Sequence, residues 1–349
     1  MAVDKPLTPS PVPSDIPKNM EIDVEVSPEA VTTEDGEGGV VIMLDGDLAE
    51  DVLQEIDHDT NLADLIEDSD LQAMASELAQ DFENDRRSRK DWMDTYINGL
   101  DLLGLKHEQR TEPWPGAAGM FHPLLTEAVV RFQAQAMGEL YPASGPAGAK
   151  IMGKQTPERI EQAERVKNEL NYQLTEEMTE YRDEMEHMLF RVPLAGSAFK
   201  KVSYDPIRER PTSLFVPAED FVVPYGASDL ETADRYTHVM KKSPHDVAML
   251  QINGFYRDID LPAPEVDMSE IDEKYSEIQG QAAVIDDDDR HTLLEMHVTM
   301  NMPEEVDDPE GIARPYVVTI DKSSREVLSI YRNWDEDDAK KRKRMHFVH

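Results

Sequence analysis

Read as a pattern of apolar and polar positions, the chain divides into three parts. Residues 1–80 hold no Phe, Tyr or Trp and carry 21 Asp or Glu against two Lys, with Pro6, Pro9, Pro11, Pro13, Pro17 and Pro28 at their start. Proline blocks a continuous helix. So polar a segment cannot offset the entropy lost on ordering, so residues 1–68 are expected to form a disordered acidic arm. Two apolar patches interrupt it, Leu48/Val52/Ile56 and Leu62/Leu65/Ile66. Either could become a helix in a partner's groove. Helical spacing begins near Ser69, where Gln72 completes a capping-box spacing, and runs through Leu71, Ala75, Leu78, Phe82, Met93, Tyr96, Leu100 and Leu103 to a stop at Gly104. Pro123 is expected as the first residue of a second helix, with Leu124, Ala128, Phe132, Ala136 and Leu140 forming a core-facing stripe. Thr156-Pro157-Glu158 caps the longest helix, expected to run to about Leu189 as a single rod roughly 50 Å long. Its seam is Ala163, Val166, Leu170, Leu174, Met178, Tyr181, Met185 and Met188.

After Gly196 the period shortens to two. Phe199–Tyr204, Ser213–Pro217, Asp220–Pro224, Arg235–Met240 and Leu293–Met300 read as strands, and Tyr316–Ile320 pairs with Val327–Tyr331 across a five-residue turn. Ser243-Pro244-His245-Asp246 opens a short helix ending near Asn253-Gly254. Residues 257–290 read as an acidic surface insertion with a modest helix near 269–279. The expected fold class is α+β: long helices and antiparallel strands in one domain, 69–349, behind the arm. The ending His346-Phe347-Val348-His349 reads as the start of a further strand, so the domain is expected to continue beyond it.

Composition narrows the possible functions. A net charge of −38 argues against a protein that coats nucleic acid, which needs clustered Lys and Arg. It does not exclude one that nucleic acid passes without sticking. The absence of Cys removes disulfides and thiolate metal sites. No apolar run is long enough for a membrane-spanning helix, and no membrane partner is expected.

Candidate chemistry is sparse. Asp286–Asp289 lacks the spaced acids, glycine and final Glu of a calcium loop; a metal-dependent nuclease built on it is the weakest functional reading. His291 and His297 share a strand face and read as satisfied or exposed imidazoles rather than ligands. Ser197 lacks a nucleophile elbow, and Gly148-Ala149-Lys150 and Gly153-Lys154 lack phosphate-loop spacing. The basic residues Arg86, Arg87, Arg89 and Lys90 read most simply as a solvent-facing helix surface with internal ion pairs, and phosphate binding is the alternative. Lys340–Arg344 most simply compensates the acidic residues at 335–338. No catalytic residue, metal or cofactor is expected.

A series of motifs carries a resemblance. Trp114-Pro115-Gly116-Ala117-Ala118, His122-Pro123-Leu124-Leu125, Phe132-Gln133-Ala134-Gln135 and Glu139-Leu140-Tyr141-Pro142 follow one another. They are followed by Gly196–Val202, Phe215–Pro224, Tyr316–Asp321 and Tyr331–Trp334. In this order, over residues 82–349, the chain resembles the portal proteins (head-to-tail connectors) of tailed bacteriophages, of the podovirus-like type. The resemblance implies a ring of about twelve identical subunits at one capsid vertex, through which DNA is packaged by a separate terminase and later ejected. It implies assembly in the host cytoplasm with major capsid and scaffolding proteins, residence in the virion, and docking of the terminase large subunit and the head–tail adaptor. It also implies that the chain is an N-terminal fragment, mainly the outer wing, with stem and clip beyond His349. Within that frame Trp114, Pro115, Gly116 and Pro123 are expected to form a structural corner. Leu124, Phe132, Leu140, Val166, Leu170, Leu174, Met178, Tyr181 and Met185 are the candidate core or subunit-interface positions. No residue is singled out for DNA contact. The competing reading is an acidic interaction or scaffold protein that binds partners through its arm.

Overall fold

The computed structural model describes residues 57–103, 112, 114–119, 122–205, 209–264, 269–278, 290–303, 306 and 311–349, with the backbone of two strands nearer the N-terminus. Those strands, β1 (Val31–Glu34) and β2 (Val40–Met43), pair antiparallel within a unit spanning residues 4–60. They lie in the stretch expected to be disordered; the rest of residues 1–56 lies outside the described residues.

The larger unit, from Asn61 onward, is α+β. Its packed part starts earlier than the expected boundary at 68. Leu62 and Ala63, in a short 3-10 turn, are fully buried, and Ile66 nearly so, so this patch covers the chain's own fold. Asn61 supplies the attachment. Its amide donates to the Leu328 carbonyl at 3.2 Å and accepts from the Ile330 amide at 2.9 Å, bonding a strand edge as another strand would.

Helix α1 (Asp68–Ser88) has Glu67, not Ser69, at its N-cap. The expected single helix to Leu103 breaks at Arg89, and α2 (Lys90–Leu103) follows. The break has a cause: the Arg89 side chain turns inward to donate to the carbonyls of Ala218 and Phe221 at 2.8 and 3.0 Å and to that of Glu219. Gly104, the expected stop, lies outside the described residues. Helix α3 (Leu124–Leu140) has the predicted bounds, but Pro123 is its N-cap rather than its first helical residue. Helix α4 (Pro157–Tyr172) starts as predicted, with the Thr156 hydroxyl accepting from the Arg159 amide. The expected rod is not continuous. A π-helical turn, Gln173–Glu177, and a non-helical Met178 separate α4 from α5 (Tyr181–Ala195). Helix α5 passes through Pro193 and ends at Gly196, whose φ of +80° suits the left-handed cap.

The strands form two antiparallel sheets. β3 (Phe199–Asp205) and β4 (Arg210–Val216) pair, and β10 (Phe347–Val348) joins the other side of β3. The expected strand at 220–224 shortens to β5 (Phe221–Val222), because Ala218–Asp220 form a 3-10 turn. The five-stranded sheet runs β5–β6–β7–β8–β9, with β6 Arg235–Lys242, β7 His291–Met300, β8 Arg314–Asp321 and β9 Val327–Arg332. The Asp321 carboxylate nucleates the β8–β9 turn by accepting from the Ser324 amide and from both serine hydroxyls of the turn. Between β6 and β7 lie α6 (Pro244–Ile252), capped by Ser243 as predicted, and α7 (Glu270–Ile278).

Helix α1 covers one face of the large sheet. Arg235, pointing to that face, forms a two-pronged pair with Asp85 at 2.8 and 3.0 Å, beside the fully buried Leu294, Met296, Val318, Ile320 and Ile330. The opposite face is covered at one end by Val247, Leu250, Phe255 and Tyr256 against Leu293 and Leu328. At the other end it packs on an aromatic cluster of Phe199, Phe221, Tyr236 and Phe347. The stretch read as a surface insertion therefore contributes to the core. Ile271 of α7 is buried, and the Tyr275 hydroxyl lies 2.7 Å from that of Tyr96 on α2. Asp286–Asp289 lie outside the described residues.

Candidate functional site

The predicted site residues belong to the helical layer. At the corner, the Ala117 amide donates to the Trp114 carbonyl at 3.1 Å, and Gly116 takes φ +84°, where a side chain would be strained. Trp114 itself is 63% exposed, so the corner is a backbone turn and not a packed indole. Pro115 and Pro123 are exposed as well.

The α3 stripe is not core-facing throughout. Val129 alone is buried, while Leu124, Phe132 and Leu140 lie open at 65, 42 and 49%. A stripe five residues deep advances around the helix by roughly 40° per fourfold step, so its two ends cannot share one neighbour. Leu125, Val129, Gln133 and Met137 take the inner side, where Gln133 donates to the Glu186 carbonyl of α5 at 3.1 Å. Leu124, Ala128 and Phe132 are left outward.

Helix α4 buries none of its residues. Val166 and Leu170 form an uncovered stripe between charged positions, and Ile160 is exposed on another side of the helix. Asn171 anchors the helix: its amide group exchanges two bonds with Ala147, at 2.9 and 3.1 Å. Gly145 packs so tightly on that side chain that a Cβ there would clash with it. The seam predicted to run from Val166 to Met185 thus splits at the π-helical turn. Val166 and Leu170 face solvent, whereas Leu174, Met178, Tyr181 and Met185 turn into the body. Tyr181 carries the Lys200 ammonium 4.0 Å above its ring. On the same helix Glu184 accepts from the Phe215 amide at 2.6 Å, and Glu180 at its N-cap pairs with Arg210 at 2.7 Å, closing the outer edge of β4.

Perturbed titratable groups gather under α2 and α7. Arg191 pairs with Glu219 at 2.7 Å and lies over the Tyr275 ring, and the Tyr275 hydroxyl reaches Glu219 at 3.4 Å. Burial pushes the Glu219 carboxyl upward, partly offset by Arg191. Burial, reinforced by Glu219 and Asp272, pushes Asp220 up to about 7. Burial lowers Arg89 to about 10. These groups border a cleft of about 270 Å³. Chemically the cluster ties α2, α5, α7 and the 218–220 turn together, with Arg191 neutralising Glu219. Arg89, read as part of a solvent-facing basic surface, is instead an internal staple; Arg86 keeps its place on the surface beside Glu83. Among the described residues, no three His, Asp or Glu side chains are grouped to hold a metal. No described helix is long and apolar enough to cross a membrane.

At the end of the chain, the acidic and basic runs compensate each other. Asp338 pairs with Arg342 at 2.9 Å and Asp335 with Arg344 at 3.3 Å, while the Lys343 ammonium donates to the Leu230 and Ala233 carbonyls. No protein-family model matches the chain, and no curated protein is significantly similar to it.

Proposed function

We propose that the chain is a structural subunit of a portal-type ring at a capsid vertex, through which DNA passes during packaging and ejection. In this reading the ring is the docking platform for the packaging motor and the tail adaptor. The observation that carries the proposal is the pair of uncovered apolar stripes on α3 and α4. A closed ring needs a heterologous interface, in which one patch of each subunit meets a different patch of the next. Leu124/Phe132 and Val166/Leu170 are two such patches on helices of 17 and 16 residues, each roughly 25 Å long. The motif series that resembles portal proteins runs through α3. The acidity of the chain supports the same reading, since an acidic wall makes few lasting phosphate contacts.

Electron microscopy of the purified protein tests the proposal. The expected result is closed rings with a central opening. A persistent monomer with magnesium-dependent DNA cleavage of its own would overturn it.

A further inference from the structure

A charged cluster lies sealed between the two sheets. Lys201 on β3 is 5% exposed, and its ammonium contacts both oxygens of Glu295 on β7 at 2.6 Å. Glu295 Oε1 lies 3.2 Å from Nε2 of His297, whose Nδ1 is 3.5 Å from the Asn333 amide nitrogen. The Asn333 amide oxygen is in turn 3.1 Å from Nε2 of His346. One protonation pattern satisfies this chain. Nε2–H of His346 donates to Asn333, Asn333 donates to Nδ1 of His297, and Nε2–H of His297 donates to the carboxylate. Both imidazoles are then neutral, and the one negative charge faces the one positive charge.

Further titratable and aromatic groups pack against this chain. From β6, His238 stands across from Glu295 with Nδ1 at 3.9 Å, and Tyr236 stacks on His297 at 4.7 Å. Thr319 pairs with Glu295 from β8, and Tyr256 faces it from the segment after α6. Phe347 of β10 closes edge-on over His297, with Lys201 above its ring. Lys343 lies over Tyr236, and Lys242 acts on His238 from the end of β6. A proton added at Nδ1 of His297 would turn a donor toward the Asn333 donor and set a second positive charge beside Lys201. Buried pairs of this kind tolerate the loss of balance poorly.

We propose that this cluster is a proton-operated latch, which seals β3 and β10 onto β6 and β7 while its imidazoles are neutral and opens that seam on proton uptake, before the five-stranded sheet unfolds. The direction of the pH response follows from the burial. Burial holds His297 down to about 4 and keeps His238 and His346 below the ordinary imidazole range, while Lys201 keeps Glu295 ionised. Groups with depressed folded-state pKa values bind protons more readily when exposed, so the closed form weakens as pH falls through about 6.5. Each imidazole favours opening by about tenfold between pH 7.5 and 5.5, on the order of a hundredfold or more for the cluster.

Amide hydrogen exchange tests this, with rates corrected for their intrinsic pH dependence. The expected result at pH 5.5 is loss of protection in β3 and β10 by on the order of a hundredfold relative to β8. Equal loss in all three strands, or none, would overturn the latch. Replacing His297→Gln together with His346→Gln should cut the relative pH response at least tenfold; an undiminished response in the folded variant would also overturn it. Should that variant fail to fold, the exchange pattern of the unmodified protein still decides the matter.

Discussion

Arg89 offers the sharpest test of how the fold is held. It sits at the break between α1 and α2, and its guanidinium donates to three carbonyls of residues 218, 219 and 221. Hydrogen bonds to a charged group contribute about 1.5–3 kcal/mol each, so three supply roughly 5–9 kcal/mol. Burial opposes this: lowering the side chain to about 10 corresponds to a cost of about 3 kcal/mol. The net contribution is then roughly 2–6 kcal/mol, and Arg89→Ala should lower unfolding free energy by an amount in that range in urea titration. Arg89→Lys should recover less than half, because an ammonium has no planar fork to span three acceptors. Inorganic phosphate should not raise the stability of the unmodified protein through Arg89, whose Nη atoms already donate to those carbonyls. A loss under about 1 kcal/mol for Arg89→Ala, or full recovery with Lys, would refute the staple.

Asp220→Asn should stabilise the protein, and more so at pH 8 than at pH 5. A carboxyl raised to about 7 favours folding only while protonated, and that advantage disappears as pH rises from the unfolded value near 3.8 through 7. Thermal midpoints of the two proteins at both pH values measure this, with a gain on the order of 1–2 kcal/mol at pH 8. Trp114→Ala should change stability by less than about 0.5 kcal/mol in urea titration, because most of the indole is exposed. Phe132→Asp and Leu170→Asp should each leave the circular dichroism spectrum and unfolding midpoint of the subunit unchanged while abolishing rings in electron micrographs.

The parts of the fold that were legible in the sequence are those with local causes. Thr156-Pro157 and Ser243-Pro244 cap helices because hydroxyl and proline act on the adjacent turn alone. The β8–β9 hairpin follows from alternation and a polar turn, and α3 from an uninterrupted helical period. The misreadings have distant causes. Nothing near Arg89 announces a break; its acceptors are some 130 residues away. Leu62 and Ile66 resemble a peptide awaiting a partner because the strand edge they cover comes more than 260 residues later, through Asn61. Apolar spacing ran unbroken through Gln173–Glu177, since a π-helical turn shifts the register without removing a single leucine.

The candidate surfaces show the same division in a more useful form. Periodicity says that a stripe exists; it does not say whose atoms cover it. By periodicity Leu124, Phe132, Val166 and Leu170 are core or interface positions, and their exposure in the subunit removes the first alternative for these four. For Leu174, Met178, Tyr181 and Met185 burial favours the first. The sealed Lys201–Glu295 pair was missed, yet it left a sequence signal. Lys201 shares strand parity with Phe199, and Glu295 interrupts Leu293-Leu294 and Met296. A charge at an inward position of a core strand calls for a partner on another strand. Of the two strands, β7 is the middle one of five, whereas β3 is the middle one of three and its partner β10 is only two residues long, so the pair joins the larger sheet to the smaller one. That asymmetry is why proton uptake should open the β3 seam first and leave β8 protected, rather than unfold the domain as a whole.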